Sequence, residues 1–386
     1  MIIKKAVNSI KDSKFFYECR NQTTTRKMML NEKFIKYQEH KKWYLDSIKS
    51  NSYFLYIAYS QSKPVGTISF RADELFYNAD VSVIVHENSR GKNFGFQILK
   101  RGINFFFKNY RYNINLIARV KKRNKASSKI FIKNKFDLFI KNKKFLVYKK
   151  NAYTKNLQKK SNKIGLLIQA RQTSVRLPNK VLKKINNHTL INILLTRLIR
   201  SKKINFLAVI IPKNKKNLKL FNFLTNSIYT NVFRGSENNV LKRYYDASTK
   251  YKLNSILRVT ADCPLLDHEL LDDIISNYIK AKSDYASNVL PPSLPRGFSV
   301  EIFKYSTLKK TFINSHKDYE KEHVNYHMHE NAKIIKLNYK SKIGIFSKKN
   351  LSVDNKQDMH RVRSIFDYFY PNFHFRLQQI KKKFIK

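Results

Sequence analysis

The chain has 386 residues, of which 42% are hydrophobic and 13% aromatic, so it can bury more than one core and two domains are expected. Its net charge of +52 would favour a nucleic-acid-binding protein, but residues 1–160 and residues 161–386 each carry half of that excess. An even split indicates a global substitution bias, and no nucleic-acid motif accompanies it. We therefore expect no nucleic-acid partner, although the charge would attract anionic nucleotides.

The two cysteines, Cys19 and Cys263, lie far apart, which excludes a disulfide scaffold and fits a reducing compartment. Residues 1–8 lack the apolar core of a signal peptide. No uninterrupted apolar run approaches the roughly 18 residues that span a bilayer. The sequence therefore predicts a cytoplasmic protein with no membrane partner.

The first part of the chain predicts mixed strands and helices. Hydrophobic spacing predicts a helix over residues 31–50, and a turn at residues 60–64 joins two strands into a hairpin. The predicted strands are Tyr53–Tyr59, Val65–Phe70, Ala79–Val85 and Ile114–Val120. A helix is predicted after each of the last two strands.

A glycine-bearing turn, Arg90–Gly95, precedes the first of these helices. Such a turn exposes backbone N–H groups at the positive end of a helix dipole, which suits a pyrophosphate. It resembles the phosphate loop R/Q-x-x-G-x-G/A of the GNAT N-acetyltransferase family, with Asn93 replacing the central glycine. A second family element, N-x-A-S followed by an aromatic residue and G-F, is similar to Asn124, Ala126, Ser127, Phe131 and Phe136, with Lys135 replacing the glycine. An ordinary helix-capping loop is the alternative interpretation.

The resemblance implies an α+β GNAT acyltransferase fold for residues 1–150, with acetyl-CoA as acyl donor and an amino-sugar or sugar nucleotide as acceptor. It implies that the following residues bind the cofactor: Val85, Arg90, Gly91, Lys92, Asn93, Phe94, Gly95, Asn124 and Ser127.

Phe131 stands where many members of that family have a tyrosine that protonates the departing thiolate. A phenylalanine cannot do this, so Tyr110, Tyr112 or water would serve, or the chemistry depends mainly on positioning the amine against the thioester. The candidates for the general base are Glu74, His86 and Glu87, among which the sequence does not choose.

Residues 151–163 are basic and poor in apolar side chains, so they predict a linker between the domains. Residues 164–386 form the predicted second domain. It starts with a buried strand that leads into a loop carrying Arg171, Ser174, Arg176 and Lys180. Ligands of α/β sheets lie beyond the carboxyl ends of the strands, so these cations predict a nucleoside triphosphate site.

This loop resembles the R-x-x-S-x-R-L-P-x-K signature of sugar-activating cytidylyltransferases of the spore-coat polysaccharide type, kin to the CMP-KDO and acylneuraminate synthetases. A solvated basic turn is the alternative. Strands and helices alternate after it, which predicts a parallel sheet and a Rossmann-like nucleotide-diphospho-sugar transferase fold. The predicted elements are the helices Leu190–Ile199 and Leu218–Asn226 and the strands Phe206–Ile211, Thr230–Phe233 and Ser255–Thr260.

Further segments resemble the same family. In the R-G-S-E-x-x-V-L-x-R-Y-Y element, the resemblance implies base or phosphate contacts from Arg234, Ser236 and Arg243, a solvated helix-face cation being the alternative for Arg243. In the D-Y-x-S-N and P-x-G-x-x-V-E elements, it implies that Asn288, Arg296 and Glu301 hold the acceptor sugar.

Two aspartates are predicted to bind Mg²⁺. Asp262 follows a strand in a segment similar to the family's T-G-D-x-P-L, and Asp354 is expected at the end of another strand in a segment similar to V-D-x-x-x-D. Mg²⁺ takes one or two protein carboxylates and completes its octahedron with phosphate and water oxygens. Asp262 could instead cap a helix, a role that Asp267 fits better. Cys263 is expected to be a packing residue.

Three histidines, His323, His327 and His329, match no standard zinc spacing. Glu322 and His323 are expected at the acceptor region or at the interface of a homodimer.

Taken together, these resemblances imply a bifunctional enzyme of surface-glycan biosynthesis. One domain would transfer CMP from CTP to an acidic, nonulosonic-type sugar with Arg171, Arg176, Lys180, Asp262 and Asp354 as catalytic residues, and the other would N-acetylate an amino-sugar. Two alternatives stay open: a degenerate acetyltransferase domain beside an active cytidylyltransferase, or a nucleotide- or RNA-binding protein without catalysis.

Overall fold

The computed structural model describes residues 1–110, 113–152, 163–228, 230–289, 291–341 and 350–384. The chain divides into two compact units, Met1–Thr154 and Lys155–Lys386. The predicted start of the linker at residue 151 is wrong, because Asn151 and Ala152 pair with a strand of the first unit's sheet. Most of the predicted linker, residues 153–162, lies outside the described residues and stays a prediction.

The first unit contains a seven-stranded sheet in the order β1-β2-β3-β4-β5-β7-β6. Its strands are β1 (Ile2–Lys5), β2 (Tyr53–Ser60), β3 (Lys63–Ala72), β4 (Asn78–Val85), β5 (Ile114–Lys121), β6 (Asp137–Lys141) and β7 (Phe145–Ala152). Its helices are α1 (Ile10–Asn21), α2 (Thr23–Met28), α3 (Tyr37–Lys49), α4 (Phe94–Asn109) and α5 (Lys125–Lys133). The four predicted strands are confirmed, whereas β1, α1 and α2 were not predicted and α3 begins six residues later than expected.

The two faces of this sheet are covered by different helices. Ile68 and Phe70 of β3 pack with α4 in one hydrophobic cluster, and Gly102 lets α4 approach closely because a Cβ atom there would meet the Ile68 side chain at 2.6 Å. Leu55 and Ile57 of β2 pack on the other face with aromatic residues of α1 and α3.

β4 and β5 pair over only part of their length. Their parallel ladder pairs Asn78–Asp80 with Asn115–Ile117 and ends at Asp80, although both strands continue for several residues. Because the strands separate there, the sheet opens into a cleft between their carboxyl ends.

The second unit contains a seven-stranded sheet in the order β12-β11-β8-β13-β15-β14-β16 and a short β9-β10 hairpin. Its strands are β8 (Ile164–Gln169), β9 (Lys184–Ile185), β10 (His188–Thr189), β11 (Phe206–Pro212), β12 (Val232–Gly235), β13 (Ser255–Thr260), β14 (Tyr285–Ser287), β15 (Glu301–Lys304) and β16 (Lys336–Asn338). The first four sheet strands pair in parallel, and β15 is antiparallel to both of its neighbours. The two-domain fold class predicted from the sequence is confirmed, with an antiparallel strand that alternation alone did not predict.

The helices of this unit cover a sheet whose central strands are almost wholly buried. They are α6 (Leu190–Leu198), α7 (Leu218–Asn222), α8 (Val240–Lys250), α9 (His268–Lys280), α10 (Tyr305–Asn314), α11 (Asp318–Glu322), α12 (Tyr326–Glu330), α13 (Lys356–Phe369) and α14 (Leu377–Phe384). The strand predicted to end at Asp354 is wrong. Residues 351–354 lie in an irregular loop, which is joined to the sheet region through a single bridge between Asn350 and Arg296.

In the part of the chain that the structure describes, no helix is both long and apolar enough to cross a membrane.

Candidate active sites

The cleft of the first unit has a volume of about 980 Å³. It is bordered by the separated ends of β4 and β5, by the turn that follows β4, and by residues of α1 to α3 and α5. A cleft of this size between parallel strands can hold an extended ligand such as the pantetheine arm of a coenzyme.

The turn before α4 presents a row of open backbone amides. Gly91 has a φ of +80° and Asn93 a φ of +56°, and this backbone path leads directly into the helix at Phe94. Among the described residues, no protein acceptor is recorded for the six consecutive N–H groups of Gly91 to Phe96. Close packing also requires glycine at position 95, because a Cβ atom there would meet Ile130 of α5 at 2.6 Å. Six open amides at a helix N-terminus suit a pyrophosphate.

Arg90 uses its side chain differently from the rest of the turn. Its guanidinium donates to the hydroxyls of Thr24 and Thr25 and to Gln22 Oε1, the last two at 2.9 and 3.1 Å. These partners lie at the start of α2. The side chain therefore ties the turn to α2, and the Arg90 N–H donates to the Glu87 carbonyl oxygen, so Arg90 is not part of the row of open amides.

The other predicted cofactor residues divide between cleft and surface. Val85, Phe94, Gly95, Asn124 and Ser127 line the cleft, whereas Lys92 is exposed and does not. Asn124 Oδ1 accepts the Ser127 N–H at 3.0 Å as the N-cap of α5, so its carbonyl oxygen is occupied and its NH₂ group is the part left for a ligand.

The predicted acid and base candidates of the acetyltransferase are not brought to the cleft. Glu74, His86, Glu87 and Tyr110 are absent from its lining, and Tyr112 lies outside the described residues. Phe131 is 5% exposed and stacks on Tyr148, so it is a packing residue.

Two acidic residues that the sequence did not single out do line the cleft, Glu39 of α3 and Asp80 of β4. Asp80 is the last residue of the β4–β5 ladder and forms ion pairs with Arg71, at 2.9 Å, and with Arg119. The signal available in the sequence was a single carboxylate inside an otherwise apolar strand.

In the second unit, Lys180 lies between the two predicted metal ligands. Its Nζ is 2.9 Å from Asp262 Oδ2 and 3.0 Å from Asp354 Oδ1, and it also donates to the Val353 carbonyl oxygen at 3.1 Å. The Val353 N–H in turn donates to the Asp262 carbonyl oxygen at 2.9 Å. The structure thus brings together three residues that are 82 to 174 positions apart in the chain. The backbone hydrogen bond from Val353 holds the loops of Asp262 and Asp354 together.

Asp262 is held in its ionised form. Burial raises its pKa, but the Lys180 ammonium and the hydrogen bonds from Lys180 and Thr260 outweigh burial, and the net pKa lies below the usual value. Asp267, not Asp262, caps α9, because its Oδ1 accepts the N–H groups of Glu269 and Leu270. The predicted assignment of the cap is confirmed.

Asp354 lies at the centre of a cationic group. Its Oδ2 accepts from Arg296 at 2.8 Å, and its Oδ1 lies 3.4 Å from Arg176 Nη2. Its own N–H donates to Asp358 Oδ2 at 3.1 Å, so the third residue of α13, which forms a capping box with Asn355, also fixes the loop.

Gly297 brings Arg296 close to Asp354. It has a φ of +106°, and a Cβ atom there would meet the Leu351 and Ser352 backbone at 2.5 to 2.6 Å. Only glycine permits this approach. The sequence motifs contain Asp358 and Gly297, but their supporting roles were not predicted.

The remaining predicted nucleotide residues lie around the first strand ends. Arg171 is exposed, and Ser174 is partly buried on the same loop. Arg234 stacks over Phe221 with 5.2 Å between the guanidinium carbon and the ring centroid. Ser236 Oγ accepts the Asn239 N–H just before α8. Contacts of these four residues with a nucleotide stay predictions.

Three predicted substrate residues are buried and already bonded. Arg243 is 2% exposed and donates to the carbonyl oxygens of Ser236 and Glu237, so the solvated alternative is wrong and the side chain shapes the loop instead. The Asn288 NH₂ group donates to the Phe298 carbonyl oxygen, and Asn288 Oδ1 accepts the Val300 N–H.

Glu301 is likewise enclosed, with hydrogen bonds from Arg258, Tyr285 and Asn325. Burial raises its pKa, but Arg258 and these hydrogen bonds hold the net value below normal. The polar groups of Asn288 and Glu301 are therefore already bonded within the protein, and their contacts with a sugar stay predictions.

Arg197 was not predicted. It is 1% exposed within the apolar helix α6 and donates to the carbonyl oxygens of Leu265, Leu266, Phe373 and Phe375. It thereby anchors the segment that follows Asp262. The sequence signal was a single arginine among leucines.

The pair of carboxylates fits Mg²⁺. Both aspartates offer oxygen donors, and the Lys180 ammonium already occupies a position between them that attracts a cation. Among the described residues, no group of three or more His, Cys, Asp and Glu side chains is placed to hold a metal, as an all-protein zinc site would require.

Fold and geometry define the second unit as an α/β nucleotidyltransferase and the first as an acetyltransferase. Residues 166–371 match the family model described as cytidylyltransferase, and residues 7–137 match that of the acetyltransferase (GNAT) domain. The chain belongs to the cytidylyltransferase family and carries a GNAT acetyltransferase domain.

Related proteins cover the cytidylyltransferase part. An uncharacterised protein of Methanocaldococcus jannaschii is 39% identical over 46% of this chain and 71% of its own length. The spore coat polysaccharide biosynthesis protein SpsF of Bacillus subtilis is 28% identical over 53% of this chain and 87% of its own. A solved cytidylyltransferase structure from Leptospira borgpetersenii is 30% identical, covers 57% of this chain and 94% of its own, and gives a TM-score of 0.54.

Proposed function

We propose that the second unit transfers CMP from CTP to a hydroxyl oxygen of an acidic, nonulosonic-type sugar, and that the first unit transfers an acetyl group from acetyl-CoA to the amino group of a sugar. The observation that carries the first proposal is the convergence of Asp262, Asp354 and Lys180. The name of the Bacillus relative supports a role in surface-glycan biosynthesis.

The cations of the loop after β8 would bind the triphosphate. Lys180 and Arg176 already lie at the carboxylate pair, and Arg171 is exposed on the same loop. A triphosphate carries several negative charges, so these side chains would hold the α-phosphorus in position and stabilise charge that develops on the leaving pyrophosphate.

Asp262 and Asp354 would hold Mg²⁺. When bound, the ion would polarise the α-phosphate and lower the pKa of a hydroxyl group beside it. The lowered pKa of Asp262 keeps this ligand anionic throughout the neutral range.

The reaction needs no covalent protein intermediate. The acceptor hydroxyl loses its proton to solvent and its oxygen forms a bond to the α-phosphorus. The bond from that phosphorus to the bridging oxygen breaks, and pyrophosphate leaves with the electron pair. Arg296 donates to Asp354 with a side chain that is 63% exposed, so the rest of its guanidinium would be open to the acceptor.

Acetyl transfer would take place in the cleft of the first unit. The open amides of Gly91–Phe96 would hold the pyrophosphate of acetyl-CoA, which would place the thioester between the separated strands. The amine nitrogen would form a bond to the thioester carbon, the carbon–sulfur bond would break, and the proton lost by the nitrogen would reach the departing coenzyme thiolate directly or through solvent. Asp80 and Glu39 are the acidic side chains that line this cleft in the described residues.

Pyrophosphate release tests the first proposal. Purified protein with CTP and Mg²⁺ should release pyrophosphate with a nonulosonic acid, and Asp262→Asn and Asp354→Asn should each lower kcat at least about a hundredfold. Asp246→Asn, which removes a surface ion pair with Lys242, is the control and should leave the rate unchanged. Turnover with phosphorylated alditols but with no acidic sugar would contradict the acceptor assignment.

A further inference from the structure

One face of the first unit's sheet is polar where it lines the cleft. Ser69 and Arg71 of β3 lie directly opposite Ser82 and Asp80 of β4, and opposing residues of an antiparallel pair share a face. Leu55 of β2 lies opposite Ser69 and packs with the aromatic residues of α1 and α3. These helices therefore cover the polar face, whereas the amide turn begins α4 on the other face.

The charged side chains of this face have a cationic surplus. Arg20, Arg71 and Arg119 line the cleft together with Asp80 and Glu39. Asp80 is shared by Arg71 and Arg119, so its charge is already compensated. A polyamine would bring further positive charges into this environment, and a neutral amino sugar would leave the surplus uncompensated.

Arg71 and Arg119 each have a carboxylate partner in Asp80, whereas Arg20 is bonded more weakly within the protein. Its Nη2 donates to the Asn31 carbonyl oxygen at 2.8 Å, and its Nη1 is shielded from water without an acceptor. No carboxylate forms an ion pair with it in the described part of the chain. Burial and the neighbouring Arg26 both lower its pKa, so its surroundings offer no compensating negative charge.

We propose that the acetyl acceptor is an amino sugar that carries a phosphate group, and that Arg20 binds this phosphate. A guanidinium matches phosphate oxygens in charge and in fork geometry, and charge-assisted hydrogen bonds are about twice as strong as neutral ones. The inference rests on the acetyltransferase part of the proposed function. The phosphate could belong to a sugar phosphate, to a sugar nucleotide, or to the CMP-linked product of the second unit.

The test compares acceptors and two matched arginine variants. With acetyl-CoA fixed, release of coenzyme thiol is measured with a free amino sugar, its 1-phosphate, its nucleoside diphosphate, its CMP-linked form where the sugar allows one, and spermidine. The phosphate-bearing acceptors should show a KM at least about tenfold lower than the free sugar, and this KM should rise with salt. The ranking among the phosphate-bearing acceptors identifies the source of the phosphate.

Arg20→Gln should raise KM for the best phosphate-bearing acceptor about tenfold and leave KM for acetyl-CoA unchanged. Arg26→Gln is the control, because Arg26 lies on the adjacent helix and also donates to carbonyl oxygens but does not line the cleft. It should leave both KM values unchanged.

Equal KM values for free and phosphate-bearing sugars, a preference for spermidine, or equal effects of the two substitutions would overturn the inference. The ranking and the salt dependence use the unaltered protein, so they decide the matter even if Arg20→Gln does not fold. Failure of every amine to release thiol would instead contradict the acetyltransferase proposal itself.

Discussion

At the scale of single residues, Lys180 has two roles in the structure. Its ammonium bridges Asp262 and Asp354, whose side chains are 24% and 7% exposed, and thereby compensates two carboxylates in a partly desolvated site. The same side chain belongs to the loop that would bind the triphosphate. Under the proposed function, the ammonium group that stabilises the carboxylate pair would also contact the nucleotide and so link folding stability to substrate binding.

Replacing Lys180 by methionine should lower the free energy of unfolding by about 3 kcal/mol at pH 7, because it leaves buried carboxylates without their shared cation. In the native protein the lowered pKa of Asp262 contributes stability above the pKa of the unfolded carboxyl, and this contribution is lost as pH falls through the folded value. The difference between the two proteins should therefore be largest near neutrality and shrink below about pH 4. Urea unfolding at both pH values measures it.

Lys183→Met is the control, since Lys183 is exposed three residues further along the same loop. It should leave stability unchanged at both pH values. Mg²⁺ should raise the Tm of Lys180→Met more than that of the unaltered protein, because no ammonium competes for the carboxylates. An equal effect of Mg²⁺ on both proteins would contradict the shared cation site.

At the scale of elements, the turn from β4 into α4 depends on two left-handed residues. Gly91 has open space around its missing Cβ, so conformation alone explains that glycine. Asn93 replaces the family's central glycine and adopts the left-handed conformation directly before the helix. Asparagine tolerates this conformation better than most residues, so the departure from the family motif preserves the backbone path.

Asn93→Gly should therefore keep stability and coenzyme A affinity, whereas Asn93→Val should lower stability by about 1–2 kcal/mol and weaken coenzyme A binding, because a β-branched residue is strained at positive φ. Calorimetric titration with coenzyme A and thermal unfolding measure both effects.

Lys92→Val provides the matched control, because Lys92 has no positive φ and the backbone stays unstrained. If valine at both positions weakened binding equally, side-chain contacts and not the backbone path would explain the effect.

At the scale of the whole molecule, the two units have separate sheets and separate hydrophobic cores. Each candidate site is built wholly from residues of its own unit. The packing of each core therefore does not depend on the residues that form the other unit's candidate site.

Asp262→Asn should abolish pyrophosphate release and leave kcat and KM of acetyl transfer within about twofold of their original values, because the substitution leaves the other unit's core and cleft unaltered. Both activities are measured on the same full-length preparation. Saturating CTP with Mg²⁺ added to the unaltered protein is the control for ligand effects. A change in acetyl transfer of tenfold or more would show that the two sites communicate.

The extent of prediction differed between fold and site. Hydrophobic spacing located β2, β3, β4, β5, β8, β11 and β13, whose patterns are strong, and β12 two residues early. It missed β1, β6, the lysine-containing β7, and the short strands β9, β10 and β14 to β16. Short or edge strands bury few side chains, so their local pattern is weak. The alternating apolar residues Leu351 and Val353 favour a strand before Asp354, but tertiary packing buries them in an irregular loop.

The sequence by itself identified the cationic loop around Lys180, the two aspartates and the glycine-bearing turn. Each of these features depends on the residue types of one short segment, which the sequence shows directly. Only the tertiary structure decided which of the polar residues are open to a ligand. Arg243 has the same guanidinium group as Arg176 and Arg296, yet it is buried and donates to the carbonyl oxygens of Ser236 and Glu237. Asn288 and Glu301 are polar as well, yet they are enclosed by groups that include the Val300 N–H and the Arg258 guanidinium. Burial is a property of the packed chain, and no local sequence pattern encodes it.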